Sequence, residues 1–108
     1  MGALTAGQIV LVRFPFSDLT ASKLRPAVVL AEAGRGDWIL CQITSQPYGD
    51  LRAIKLEAGD FAHGSLRLTS FARPGKLFTA HASLVAGQLG ELRVGKFAAI
   101  REAVKQMI

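Results

Sequence analysis

Short apolar runs broken by glycine, proline and polar residues fill most of the chain, and a different spacing takes over at its end. Residues 9–14 (Ile-Val-Leu-Val-Arg-Phe) are apolar apart from Arg13 and open just after Gly7. A run this short and this rich in Val and Ile predicts a buried strand rather than a helix. Residues 27–32 form a second run directly behind Pro26, and proline suits a strand start because its missing N–H costs least there. Residues 38–44 form a third, entered through Gly34-Arg35-Gly36-Asp37, a cluster of turn formers. The short second connection makes antiparallel pairing the least demanding topology. The stretch from Pro15 to Arg25 is too long for a tight hairpin, and loops of that length in a small domain tend to carry function.

Later segments repeat the theme more weakly. Residues 51–57 alternate loosely and predict a short strand. Residues 59–64 interrupt it, and residues 66–71 and 76–79 flank what reads as a turn at Arg73-Pro74-Gly75. Another short strand is expected over 84–89. From Val94 onward Phe97, Ile100, Val104, Met107 and Ile108 fall at helical spacing, with Lys96, Arg101, Lys105 and Gln106 on the other face. No Ser, Thr, Asp or Asn stands at the expected cap. Many short strands followed by one helix predict a mainly β fold with minor α content: a small antiparallel sheet or barrel with a C-terminal helix packed on it.

Composition narrows this. With 108 residues, a single domain spanning 1–108 is expected. Aromatic residues are only 7%, so Val, Leu, Ile and Ala must build the core. The net charge of +5 points to a polyanionic partner, nucleic acid first, with a basic surface kept for solubility as the alternative. No block of five like charges occurs, so a binding surface must be assembled by folding. The lone Cys41 excludes an internal disulfide, fits a reducing cytoplasm, and reads as a small buried hydrophobe within residues 38–43. The first seven residues lack the pattern of a secretion signal, and no apolar run is long enough to span a membrane.

Two sites could carry chemistry. Arg25 is held by Pro26 in a restricted backbone, and its planar fork of donors suits a phosphate; an ordinary exposed loop arginine is the alternative. Thr44 and Ser45 end the third strand, where hydroxyls either bind a phosphate oxygen or simply terminate the strand. If the second and third strands pair antiparallel, both sites meet at one edge of the sheet, and a cation beside hydroxyl donors is what a phosphate site needs. Gln42 could order that site or satisfy a backbone group. Lys23, Arg73, Lys76 and Arg13 are candidates for backbone phosphates, and Phe16 and Phe71 for stacking on bases. Each also has an ordinary reading, as surface charge or packing. His63 and His81 read as surface or supporting residues.

These stretches, in order, resemble the MazF/PemK family of toxins, the PemK-like branch above all: Gly7-Gln8-Ile9-Val10-Leu11-Val12 with Phe14-Pro15-Phe16-Ser17-Asp18-Leu19, then Ser22-Lys23-Leu24-Arg25-Pro26-Ala27-Val28-Val29-Leu30, then Leu40-Cys41-Gln42-Ile43-Thr44-Ser45, Arg73-Pro74-Gly75-Lys76-Leu77-Phe78-Thr79, and Gly87-Gln88-Leu89-Gly90-Glu91-Leu92 before the helix. The resemblance implies an SH3-like barrel or sheet assembled as a homodimer. It implies a toxin of a type II toxin–antitoxin system that cuts single-stranded RNA in the cytoplasm by attack of the 2′-hydroxyl, with neither metal nor other cofactor. The family's key arginine maps onto Arg25 and its hydroxyl residue onto Thr44, with Ser45 as neighbour, and a cognate antitoxin would cover the same groove. Two alternatives share the fold: a CcdB-like gyrase poison, and a catalytically inactive nucleic-acid-binding member. Arg25-Pro26 and Thr44-Ser45 favour RNA cleavage, since a pure protein binder needs neither.

Overall fold

A computed structural model describes residues 3–15 and 22–108, the side chains of Phe14, Pro15 and Ser22 excepted. Phe16 and the rest of segment 16–21 lie outside the described residues. Among the described residues, seven antiparallel strands form one sheet: β1 (Gln8–Pro15), β2 (Ser22–Gly34), β3 (Asp37–Thr44), β4 (Ile54–Leu56), β5 (Phe61–Gly64), β6 (Ser70–His81) and β7 (Val85–Leu92). The helix α1 (Val94–Gln106) follows. The spatial order is β4-β6-β3-β2-β1-β7-β5, the mainly β architecture with a terminal helix that the pattern predicts.

The sheet is curled, and the chain shows why. The outermost strands, β4 and β5, are consecutive in sequence, and only Glu57 to Asp60 separates them. The five steps from Leu56 to Phe61 span at most about 18 Å, so the two edges of a seven-stranded sheet must come round towards each other. Leu56 from one edge and Phe61 from the other enter the same core, with Ile9, Val28, Cys41, Ile43, Ala72, Leu92 and Ile100. The single 3₁₀ turn between them, Ala58–Asp60, is tied to the start of the helix. The Arg93 N–H donates to the Asp60 carbonyl at 2.8 Å, the Arg93 Nε to the Gly59 carbonyl at 3.0 Å, and Lys96 lies 3.5 Å from the Asp60 carboxylate. The helix has no side-chain cap, and these contacts anchor its first turn instead. A second core, on the other face, holds Leu4, Val10, Val12, Ala27, Val29, Leu40, Ala80 and Val85. Central strands buried on both faces explain why their sequences read as continuous apolar runs rather than alternating ones.

Three expectations are corrected. Residues 66–71 and 76–79 are not two strands about a turn. β6 runs from Ser70 to His81, and its register against β3 shifts between Ile43↔Ala72 and Cys41↔Leu77. Residues 73–76 therefore bulge opposite Gln42, and Pro74, buried and without an N–H, occupies the bulge, one of the few sheet positions that accept it. Residues 59–64, expected as a break, contain β5, which pairs with β7 through Gly64↔Gly90. The second strand starts at Ser22 rather than Ala27, because β1 continues to Pro15 and supplies partners for it (Val12↔Arg25, Arg13↔Leu24, Phe14↔Lys23).

Cys41 behaves as the buried hydrophobe its neighbours suggest. Its thiol is fully buried and donates to the Arg73 carbonyl at 3.2 Å, an acceptor in the β6 bulge. Burial pushes its pKa from the ordinary 9.0 up to about 12. Two results are expected. A thiol reagent should leave the native protein unmodified and react fully once guanidinium unfolds it. The stability linked to this group should be complete below about pH 9, where the unfolded thiol is still protonated, and should fall as pH rises toward 12.

Candidate functional site

The site forms where β2 and β3 stop pairing. The register Val29↔Leu40, Val28↔Cys41, Ala27↔Gln42 ends beside Pro26, and a proline cannot donate to a neighbouring strand. On its other side Pro26 still pairs with Leu11 of β1. The second strand thus stays in the sheet while its β3 edge opens. Beyond the last pair, Ala27↔Gln42, Arg25 lies two residues along β2 and Thr44 two residues along β3, and both line the opening between the strands. Arg25, expected at the mouth of the strand, is its fourth residue. The pre-proline restriction on its backbone therefore acts within extended structure, where it costs nothing.

A cleft of about 390 Å³ occupies this opening. Lys23, Leu24, Arg25 and Pro26 line one wall, and Ile43, Thr44 and Ser45 the next. Ser65 to Leu68 with Ser70, and Leu11 and Leu89, complete the lining. Among the described residues lining it there are three cations (Lys23, Arg25, Arg67), four hydroxyls (Thr44, Ser45, Ser65, Ser70) and no carboxylate. Cations gathered in a concave, partly apolar site concentrate positive potential and favour an anion. Arg25 is half-buried, and its side chain makes no hydrogen bond or ion pair with another described residue. The Thr44 hydroxyl is held by the chain ahead of it: Oγ1 accepts from the Gln46 N–H at 3.1 Å and donates to the Gln46 carbonyl at 3.2 Å. The first bond fixes the oxygen, while the proton can turn to a stronger acceptor.

The other expected residues are placed differently. Gln42 is half-buried on β3 and does not line the cleft. Lys76 is exposed on β6, also outside it. Arg73 is committed elsewhere. Its Nε donates to Asp50 Oδ2 at 2.8 Å, with the two side chains 22% and 15% exposed. That hydrogen bond, ahead of one from the Arg52 N–H, holds the Asp50 carboxyl below the ordinary carboxylate range. His63 lies 3.2 Å from Glu91, and His81 accepts from the Ser83 N–H; neither lines the cleft. Arg67 is the cation that sequence reasoning missed. It sits in irregular chain between β5 and β6, and only the pairing of those strands with β7 and β3 brings it to Arg25.

Comparison with known proteins agrees with this architecture. Residues 5–108 match the model of a family described as the PemK-like, MazF-like toxin of type II toxin–antitoxin systems. No curated protein sequence matches significantly. Among solved structures, MazF from Deinococcus radiodurans superposes with a TM-score of 0.75 at 23% identity, over 99% of this chain and 97% of that one. The MazE–MazF complex from the same organism superposes with a TM-score of 0.75 at 22% identity, over 94% and 92%. An endoribonuclease in complex with its cognate antitoxin, from a mycobacterial species, gives 0.73 at 14% identity, over 98% and 93%. At these identities the solved structures speak for the fold. No described helix is long and apolar enough to cross a membrane.

Proposed function

This chain belongs to the PemK-like, MazF-like toxin family of type II toxin–antitoxin systems, and on that premise we propose that it is a metal-independent endoribonuclease that cuts single-stranded RNA in the cleft between β2 and β3. The observation that carries the reading is one cleft, lined by both Arg25 and Thr44, whose described lining holds three cations and no carboxylate. In the reaction the 2′-hydroxyl attacks the adjacent phosphorus and loses its proton. The bond from phosphorus to the 5′-oxygen breaks, and the leaving oxygen takes up a proton. The products are a 2′,3′-cyclic phosphate and a 5′-hydroxyl. Negative charge builds on the equatorial phosphate oxygens on the way. A fixed guanidinium with a hydroxyl donor stabilises that charge without a metal.

In this assignment Arg25 binds the equatorial oxygens. Thr44 turns its O–H from the Gln46 carbonyl toward the same group, and Ser45 stands beside it. Arginine keeps its proton near neutral pH and so does not act as the base. Lys23 and Arg67 bind flanking phosphates, which dominate affinity for a nucleic acid. Arg73, bound to Asp50, holds a loop instead. The family setting extends the proposal to a cognate antitoxin that covers the cleft, a homodimeric assembly and a cytoplasmic site of action.

The direct test is a long single-stranded transcript incubated with the purified protein in excess EDTA. Cleavage is expected, and the downstream fragments should accept phosphate from polynucleotide kinase without prior dephosphorylation, the mark of a 5′-hydroxyl. Intact transcript, or fragments carrying 5′-phosphates, would refute the proposal. A gyrase-directed toxin would leave the transcript intact.

A further inference from the structure

The loop that leaves the cleft at Ser45 carries an exposed tyrosine in a backbone conformation that tyrosine disfavours. Residues 47–50 form a tight turn, closed by the Asp50 N–H donating to the Pro47 carbonyl at 3.0 Å. Its two central residues, Tyr48 and Gly49, have φ of 53° and 75°. Positive φ at both central positions is the type I′ pattern, which Asn, Asp and Gly fill at least cost. A bulky side chain there is a genuine outlier. Burial does not explain it, because Tyr48 is 83% exposed and its phenol has no partner among the described residues.

The surroundings hold the turn rigidly. Asp50 accepts from the Arg52 N–H at 2.9 Å and from the Arg73 Nε at 2.8 Å, and its carbonyl accepts from the Ala53 N–H at 3.2 Å. The entry is fixed as well, by the two bonds between Thr44 Oγ1 and Gln46. The backbone that carries the aromatic ring is therefore fixed, and only the side chain itself needs ordering when something binds it. Tyr48 lies three residues beyond Ser45 of the cleft wall, a span of at most about 11 Å, within reach of the nucleotide next to one held at Arg25 and Thr44.

We propose that Tyr48 is a stacking platform for a nucleobase adjacent to the scissile phosphate, a positioning residue that sets which stretch of RNA is held for cleavage. The proposal rests on the RNA-cleaving role given to the cleft. Stacking on an aromatic ring suits single-stranded RNA because its bases are free to splay out, and the backbone strain at residue 48 is retained for the sake of the exposed ring.

The test uses the whole protein and a fluorescein-labelled single-stranded RNA pool, 2′-O-methylated so that it is not cut. Binding is followed by anisotropy and folding by thermal melting. Tyr48→Asn is expected to bind on the order of tenfold more weakly, while its Tm stays equal or rises because asparagine accepts positive φ. Tyr48→Phe is expected to match the wild type in both. Equal binding by Tyr48→Asn and wild type would overturn the proposal and leave RNA cleavage standing. A parallel fall of Tm and binding in Tyr48→Asn would also overturn it, since the ring would then support the fold. A wild-type protein that neither binds nor cuts RNA would remove the RNA reading and this inference together.

Discussion

Arg25→Ala is expected to slow transcript cleavage about 10²- to 10³-fold, the cost of removing one preorganised charge donor from a reacting centre. The size follows from geometry. Arg25 is half-buried in a partly apolar cleft, where a charge interaction is less screened than at an open surface. Its backbone is fixed by pairing with Val12 and by the proline that follows, so little reorganisation is required as charge develops. Arg25→Lys keeps the charge and loses the planar two-pronged contact, and should fall between alanine and wild type. Neither change should move Tm by more than a few degrees, because the side chain has no partner among the described residues. Single-turnover rates on a defined transcript, with Tm alongside, check this. Equal rates for Arg25→Ala and wild type would remove Arg25 from the mechanism.

The second large effect is on stability. Gly64→Ala should cost about 3 kcal/mol, the sum of a strained left-handed backbone and an overpacked contact, and should lower Tm by more than about 10 °C in a domain of this size. Gly64 has φ of 75°, and a methyl group there would run into the Leu89 carbonyl and the Gly90 Cα. The two glycines face each other across β5 and β7, so backbone approaches backbone at a distance no side chain permits. The cleft wall begins one residue later, at Ser65. Cleavage should therefore fall along with stability, even though residue 64 is not among those lining the cleft. Gly59→Ala is the control. Nothing lies within 4 Å of the added methyl group and no positive φ is involved, so Tm should stay close to the wild type. Thermal melting of the two variants side by side decides the matter; an unchanged Tm for Gly64→Ala would show that β5 readjusts without loss.

Legibility in the sequence follows the range of the interactions. β1, β2 and β3 are readable because both their faces are buried, so the apolar runs are nearly unbroken. The helix is readable because Phe97 and Ile100 pack on one core and leave a periodic trace. Pro74-Gly75 misleads because the same residues that make turns also make bulges, and only the register against β3 tells them apart. β5 is hidden because its one buried side chain is Phe61, and its pairing depends on a glycine contact with residues 89 and 90. At the cleft, Arg25 and Thr44 sit on neighbouring strands joined by a short turn, so the sequence places both at one edge of the sheet, while two register shifts set their alignment. Arg67 cannot be placed that way, nor can the Arg73–Asp50 pair, whose members are 23 residues apart and meet only when a loop folds onto the β6 bulge.

The four-residue link between the two outermost strands exposes Glu57, Ala58 and Gly59, and an exposed tip of small residues is where a protease nicks a folded chain. A cut there would leave the two margins of the sheet joined without a covalent tie, by the packing of Leu56 and Phe61 in one core.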